Sequence, residues 1–389
     1  MRQSILLPAL AGLAFAAPRP QGIDFSAVDS APVAALVGPP ASVASQNPTT
    51  IYNAPAAASS VAAAVSTAPV ASVVASTKRR RQIDVNAACA PQPDGYGPAV
   101  KNPDTDSAFL AYQPFATTAK SAAAPFPYST SFQNLQGSSQ MNTYMGLYTL
   151  KSYDVAQCTA YCDAAAGCLG VNIYFERDPT INPAAACPNP ASFTNIKCTL
   201  WGSAVTGASA TNMGQWRGPN DANGQAFHVV IAGSNGYSKP QPPPSQTGYT
   251  GPTALPGAID VTTMTVNGKQ KNVYIGAKYF NQPYDASVCA SLCSATTADN
   301  KATAQKKYMP GSPSGEHDGT YQACNFYDAY LLSSNGVPQG LYCALYTDPI
   351  PASYATMTQV KNNKGDTYTV SNSYSYSLTA QDRGTVATS

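Results

Sequence analysis

A pair of cysteines four residues apart occurs twice in the chain, each time shortly after a Tyr-Asp dipeptide. The first pair, Cys158 and Cys162, lies in YDVAQCTAYC, and the second pair, Cys289 and Cys293, lies in YDASVCASLC. Residues at positions i and i+4 share one face of a helix, so each pair presents two thiols to a neighbouring element. Before the first pair, Asp154 is placed for the N-cap of such a helix.

Each pair is followed by two further cysteines in segments that favour strands. In the first case these are Cys168 in CLGVNIYF, directly after a predicted helix stop at Gly167, and Cys198 in CTLWG. In the second case they are Cys324 in CNFYDAYL and Cys343 in CALYT. Branched and aromatic residues favour strands, so a helix with two thiols faces a sheet with two more, which predicts disulfides. A zinc site would need a second closely spaced pair, and a thioredoxin-like redox centre would need Cys-x-x-Cys, which the sequence lacks.

These segments belong to an internal duplication. NTYMG, YDVAQCTAYC, CLGVNIYF, CTLWG and SNGYS recur in the same order as NVYIG, YDASVCASLC, CNFYDAYL, CALYT and SNSYS, which places Tyr174 over Tyr330. A run of three prolines between the repeats predicts a semi-rigid linker. The predicted boundaries are 82–137 for an N-terminal extension, 138–238 for the first copy, 239–256 for the Pro-rich linker, 257–380 for the second copy and 381–389 for a tail.

The N-terminal residues predict a secreted precursor. Residues 1–16 combine a positive start, a short apolar run and an Ala-x-Ala cleavage site, which is the pattern of a signal peptide. Residues 17–81 are mostly small or polar and follow no helical or strand period, so we expect a disordered propeptide. It ends in Lys-Arg-Arg-Arg, where a kexin-type processing protease would cleave after Arg81 and leave Gln82 as the mature N-terminus. The product would be secreted, extracellular or associated with a cell wall.

Charge and hydropathy exclude several classes of function. The formal net charge is +2, and only 11% of the residues are charged. Four basic residues lie at 78–81, upstream of the expected cut, so the mature chain has no basic footprint for nucleic acid. The apolar run at the N-terminus is too short to span a bilayer, and the C-terminal residues are not apolar, so we expect no membrane span.

The order of cysteines in each copy resembles the PAN/apple domain family. The resemblance implies an α+β fold with two small disulfide-stapled domains, each with one helix packed on a curved antiparallel sheet. It implies the pairs Cys158–Cys198, Cys162–Cys168, Cys289–Cys343 and Cys293–Cys324. Cys89 and Cys187 have no counterpart in the second copy, and we expect them to pair with each other. The chain departs from the family in its long insert between Cys293 and Cys324 and in lacking the outermost disulfide of many apple domains.

The secretion signal, the processing site and the two copies together resemble secreted fungal apple-domain proteins. The resemblance implies that the modules bind proteins or carbohydrates in the extracellular space. Two copies on one chain would add avidity if the linker lets both engage the same ligand.

Residues suited to catalysis are few. Of the two histidines, His228 and His317, the second lies beside Glu316 in a Gly-, Ser- and Pro-rich loop. Neighbouring residues on such a loop rarely form one site, and a weak divalent-metal site is the alternative interpretation. Glu176 and Asp178 in YFERDP would share a strand face as a carboxylate pair, although the segment also fits the polar end of a strand before a turn. No nucleophile elbow, phosphate loop, HExxH or dinucleotide fingerprint occurs. We therefore expect no enzyme, no cofactor and no metal.

Binding is the remaining class of function. Aromatic rings stack on the apolar faces of sugars, and the chain has 24 tyrosines and two tryptophans. The candidate ligand contacts are Tyr174, Glu176, Arg177, Asp178, Trp201 and Trp216. Tyr174 and Trp201 also fit packed core residues. The predicted function is non-enzymatic binding of a carbohydrate or cell-wall polymer. The alternative is extracellular adhesion to other proteins, and a glycan-active enzyme is third. Competition by free sugar, capture of proteins that ignores free sugar, and turnover would distinguish the three.

Overall fold

A computed structural model of the protein describes residues 23–30, 52–65, 87–93, 95–240, 242–262, 264–266, 269–270, 272–307 and 319–386. The predicted signal peptide, the predicted cut between Arg81 and Gln82, and the loop that carries His317 lie outside the described residues. The helices are α1 (Phe25–Asp29), α2 (Ala54–Val65), α3 (Asp106–Leu110), α4 (Gln113–Ser121), α5 (Val155–Ala164) and α6 (Ala286–Lys307). The strands are β1 (Ser129–Leu135), β2 (Tyr144–Leu150), β3 (Gly170–Pro179), β4 (Ser192–Trp201), β5 (Gly214–Arg217), β6 (Phe227–Ser238), β7 (Tyr249–Ala254), β8 (Thr265–Val266), β9 (Lys269–Gln270), β10 (Tyr274–Phe280), β11 (Phe326–Ser334), β12 (Val337–Tyr346), β13 (Gln359–Lys361) and β14 (Thr367–Leu378).

Two six-stranded antiparallel sheets dominate the fold. The first sheet has the order β1-β6-β3-β4-β2, with β5 beside β6, and the second has the order β7-β14-β11-β12-β10, with β13 beside β14. A short hairpin of β8 and β9 precedes β10. Equivalent strands follow each other in the same order along the chain, which is the outcome that the internal duplication predicts. The predicted α+β class is confirmed.

The first helix of the duplicated unit forms where the cysteine spacing predicts it. The Asp154 side chain accepts a hydrogen bond from the backbone N–H of Gln157, which caps the start of α5. Soon after the helix ends, Gly167 adopts a φ of +81°, a left-handed conformation that glycine tolerates best. Cys158 and Cys162 are fully buried on the face of α5 that packs against the first sheet.

All ten cysteines are paired, and the five pairs are those expected. They are Cys89–Cys187, Cys158–Cys198, Cys162–Cys168, Cys289–Cys343 and Cys293–Cys324. In each copy one disulfide joins the helix to the interior strand β4 or β12. The other joins the helix to the segment just before β3 or β11. The helix is therefore fixed to its sheet by covalent bonds as well as by packing.

The N-terminal extension and the linker contain more regular structure than the sequence predicted. Phe115 of α4 stacks on Phe175 of β3 at a centroid distance of 4.3 Å, so the extension completes the core of the first sheet. β1 lies before the predicted start of the first copy, and β7 lies inside the predicted linker. Both are edge strands rich in polar or Pro residues, and such strands need no apolar alternation because one side remains unpaired.

The prediction of a disordered propeptide is wrong for its described parts. Residues 23–30 and 52–65 contain α1 and α2, and both pack on the second copy. Alanine has the highest intrinsic helix propensity, so an Ala-rich segment can form a helix without an apolar period once a partner surface is present. In α2, Val61 is buried among residues that include Leu292 of α6.

Candidate functional site

An exposed tryptophan lies on the short strand β5 at the side of the first sheet. β5 pairs with β6, and the side chains of a strand point alternately to opposite faces. The side-chain amide oxygen of Gln215 is buried. Burial also lowers the pKa of Arg217, an effect that the charges of Asp178 and Glu176 oppose. Trp216, between them in sequence, is 60% exposed. The strand therefore presents one large aromatic ring to solvent while its neighbours reach inward.

Trp216 is held by a stacked partner. It lies directly across from His228 of β6, and the two rings stack nearly parallel, 3.9 Å apart with an interplanar angle of 7°. His228 is held in turn by Asp106, the first residue of α3. Oδ2 of Asp106 lies 2.6 Å from Nδ1 of His228. This hydrogen bond lowers the pKa of Asp106 from its ordinary value, outweighing the opposing effect of burial. The carboxylate therefore remains ionised at neutral pH and fixes the imidazole under the indole.

The N-terminal extension is what brings Asp106 to this position. Thr105 caps α3 by accepting a hydrogen bond from the N–H of Ala108. Asp104, just before the cap, pairs with Arg177 of β3, with Nη2 and Oδ1 2.8 Å apart. Arg177 also donates from Nη1 to the carbonyl oxygen of His228 and lies 4.3 Å from the ring centroid of Phe227. Arg177 thus ties the extension to β6 instead of reaching toward solvent.

A layer of charged and polar side chains is buried on the face of the first sheet opposite α5. Glu176 is 0% exposed, and neither of its carboxylate oxygens has a hydrogen-bond partner. Lys197, which is 1% exposed, places Nζ 3.7 Å from Oε1 of Glu176. Asn195 donates to Oδ2 of Asp178 at 2.6 Å. Burial raises the pKa of Glu176 well above its ordinary value, the charge of Asp178 adds to this effect, and Lys197 opposes it.

Five of the six residues predicted to contact a ligand are buried, so the prediction is wrong for them. Tyr174, Glu176, Arg177, Asp178 and Trp201 are between 0% and 4% exposed, so a ligand in solvent does not reach them. β3 is buried on both faces because α4 and α5 cover one face and the segment after β4 covers the other. Trp201 packs with Val205 of that segment and donates from Nε1 to the hydroxyl of Thr199. The indole of Trp216 is the one predicted contact that reaches solvent.

Two residues of this site were not assigned from the sequence. His228 is one of two histidines, and Asp106 follows the N-capping threonine in NPDTDSAF. The start of α3 could have been predicted from this local sequence, because threonine is a preferred N-cap residue. The contact itself joins residues more than a hundred positions apart and depends on the registry of β5 on β6, which no local pattern specifies.

The described residues contain neither a metal-holding cluster nor a membrane-spanning helix. No group of three or more His, Cys, Asp and Glu side chains there is arranged to hold a metal ion. Within those same ranges, no helix has both the length and the apolar character needed to cross a membrane. The predicted loop with Glu316 and His317 lies outside them.

Comparison of the chain with protein-family models, with the sequences of curated proteins and with solved structures finds no match.

Proposed function

We propose that the chain is a secreted, non-enzymatic protein with two apple-like domains that binds a carbohydrate or cell-wall polymer through Trp216. The observation that carries the proposal is the Trp216–His228 stack, with its indole 60% exposed and its imidazole anchored by Asp106. Tryptophan is enriched at binding hot spots, where the partner covers its large ring. A ring that is already fixed by a stacked partner loses little conformational entropy when it binds.

The chemistry around the ring suits a sugar. The apolar face of a pyranose stacks on an aromatic plane, and its hydroxyl groups need hydrogen-bond acceptors and donors at the rim. The side chain of Asp106 is 37% exposed beside His228, so its carboxylate can accept hydrogen bonds from hydroxyl groups at the edge of the stack. The surroundings therefore combine one flat apolar contact with a charged acceptor.

The non-enzymatic part of the proposal is supported by the burial of the carboxylates. A glycan-active enzyme needs two carboxyl groups that flank the scissile bond. Glu176 and Asp178 are the best pair in the sequence, but they are only 0% and 4% exposed. A polymer on the surface would not reach them.

Two further features support the apple-like identity and secretion. Each copy places one helix on an antiparallel sheet and joins them with two disulfides, which is the arrangement that the resemblance implies. Five disulfides that use every cysteine are typical of proteins in an oxidising compartment.

The test is retention of the full secreted chain on insoluble chitin, β-glucan and mannan, with soluble fragments of each polymer as competitors. We expect saturable retention on at least one polymer and a loss of about tenfold or more in affinity for Trp216→Ala, because truncating a central aromatic contact typically costs about 2 kcal/mol. Tyr96→Ala is the matched control, since Tyr96 is also exposed, at 51%, but does not belong to the stack.

Retention that both variants weaken equally would contradict a role for Trp216. If no polymer retains the wild-type chain, the proposal fails and the alternative of extracellular protein adhesion takes its place. Capture of wall proteins by the wild-type chain, unaffected by free sugar, would then be the result that establishes it.

A further inference from the structure

Residues 23–29 of the predicted propeptide occupy a groove on the second sheet. Ile23 and Val28 are 8% and 6% exposed, and they belong to an apolar cluster that contains Tyr330, Tyr342 and Tyr346. Phe25 packs beside Tyr368, with ring centroids 5.0 Å apart. These tyrosines lie on the face of the second sheet that is turned away from α6, because α6 packs with the other cluster. We call the surface that this segment covers, to which Tyr342 and Tyr368 contribute direct contacts, the tyrosine-lined groove.

The same segment makes specific polar contacts. The backbone N–H of Asp24 donates to the hydroxyl of Tyr342 at 2.9 Å. At the other end of α1, Asp29 accepts from the Tyr368 hydroxyl at 2.9 Å and pairs with Nζ of Lys364 at 2.9 Å. Groove side chains thus contact the backbone of Asp24, the carboxylate of Asp29 and the ring of Phe25.

The groove imposes the shape of this segment. α1 has five residues, and an isolated helix of that length is not stable in water. Its connection to the rest of the chain is covalent but long, since residues 31–51 precede α2 and residues 66–86 follow it. A tethered segment has a high effective concentration at its own site, and that advantage falls when the covalent tether is cut and only the packing of α2 on α6 holds the segment near the groove. The predicted cut after Arg81 lies on this connection.

We propose that the tyrosine-lined groove is a peptide-binding site and that residues 23–29, Ile-Asp-Phe-Ser-Ala-Val-Asp, are its tethered and displaceable occupant. The uncut chain is then a masked form. Once the tether is cut, the groove accepts a separate acidic peptide of the same chemistry, with an aliphatic residue and an aromatic residue around one aspartate and a second aspartate at its end. This site lies on the second sheet and does not depend on the role of Trp216.

The test measures binding of a fluorescent peptide with the sequence of residues 23–30 to the full chain by fluorescence anisotropy. The uncut wild-type chain should bind it weakly, because its own segment fills the groove. Phe25→Ala in the chain should tighten binding by about tenfold or more, because it weakens the tethered competitor. Phe126→Ala is the matched control, since Phe126 is 98% exposed, and it should leave binding unchanged.

A second pair of variants tests the groove itself. In the Phe25→Ala background, Lys364→Glu should weaken peptide binding because it places a negative charge against Asp29 of the peptide. Lys361→Glu changes the net charge equally on the neighbouring exposed part of β13 and should have no effect. Equal binding by the Lys364 and Lys361 variants would overturn the assignment of the groove.

A measurement on wild-type residues keeps the proposal testable if Phe25→Ala impairs folding. The purified full chain is cut within residues 78–81 by a kexin-type protease, and its native state is checked by near-ultraviolet circular dichroism. The labelled peptide should then bind, and unlabelled peptide should displace it. If the native cut chain takes up no peptide even in large molar excess, residues 23–29 are a permanent structural part and the proposal is wrong.

Discussion

On the face of the first sheet opposite α5, Glu176 and Lys197 lie where the second sheet has Leu332 and Tyr342. The equivalence follows from the disulfides, since Ile173 pairs with Cys198 across β3 and β4 just as Ala329 pairs with Cys343 across β11 and β12. In the first copy this layer is polar, and several of its oxygens have no hydrogen-bond partner. In the second copy the same layer is an aromatic and aliphatic cluster.

These two layers differ, but the faces of the two sheets that pack on α5 and α6 are alike. Both helices present two buried cysteines to apolar strand residues, and both copies have the same strand order. The comparison indicates that the helix face, with its disulfides, specifies the fold, while the other face is free to vary. A variable buried layer of ionisable groups carries a cost in stability, because a buried charge must lose its hydration. The predictions below test how large that cost is.

The largest expected effect on the free energy of unfolding comes from replacing Lys197, which leaves Glu176 without its partner. Removing one partner of a buried ion pair typically costs about 3–5 kcal/mol, because the other charge is left without compensation. We expect this loss for Lys197→Met at pH values at which Glu176 is ionised, and a smaller loss where it is protonated, a range that the raised pKa of Glu176 extends upward. In the double variant Glu176→Leu with Lys197→Met, which imitates the apolar layer of the second copy, the free energy of unfolding should return to the wild-type value or exceed it.

Urea unfolding followed by tryptophan fluorescence measures this in the first copy, because both tryptophans of the chain, Trp201 and Trp216, lie there. Lys361→Met on the exposed side of β13 is the control and should be neutral. A double variant as unstable as Lys197→Met alone would show that the pair has structural value beyond charge compensation, and it would contradict the view that this layer is free to vary.

The second prediction compares disulfides in equivalent positions. Cys162–Cys168 closes a sequence separation of 6, whereas Cys293–Cys324 closes a separation of 31. In the chain-entropy model, replacing both cysteines by Ala should cost ~2 kcal/mol for the short loop and ~4 kcal/mol for the long one. Hydrogen exchange of the amides of β3 and β11 in each variant measures the two losses separately. Equal losses would show that native packing, and not loop closure, determines the contribution of these bonds.

The disulfides and the elements that they join could be predicted because the sequence patterns that indicate them are local. The i, i+4 cysteines, the Asp154 cap and the repeated order of motifs together specify the helix, the strands beside it and the duplication. The edge strands β1 and β7 were missed because polar and Pro-rich segments on an edge follow no apolar alternation. α1 and α2 were missed because their helical form depends on the surface of the second copy and not on a period of their own.

The candidate site was only partly predictable. Trp216 was identified as a possible ligand contact because tryptophan is rare and amphipathic. The burial of Glu176 and Asp178 could not be inferred, because it depends on long-range packing around β3 that no local pattern specifies. The contact between His228 and Asp106 depends on strand registry and on the N-terminal extension, which are both long-range features.

The last prediction concerns the aligned pair Asn172 and Asp328, which accept hydrogen bonds from the backbone of equivalent segments in the two copies. Asn172 accepts from the N–H of Ser139, and Asp328 accepts from the N–H of Ile259 at 2.9 Å. Burial raises the pKa of Asp328 to about 7, against the lowering effect of its hydrogen bonds from Ile259 and Ser373. In the unfolded chain the pKa of an aspartate is ~4.

Between these two pKa values the folded state retains a proton that the unfolded state has released, so rising pH favours unfolding. The free energy of unfolding of the second copy should therefore fall by about 1.4 kcal/mol per pH unit between about pH 4 and pH 7. Asp328→Asn should remove this slope, which hydrogen exchange of the β11 amides measures. The reciprocal change, Asn172→Asp, should create a slope of the same sign in β3, because the new carboxyl group would replace a donor that now serves Ser234 and the Asn235 carbonyl. If Asp328→Asn leaves the slope of the second copy intact, another group of the aromatic layer must titrate, and the two copies differ in more than their aligned residues indicate.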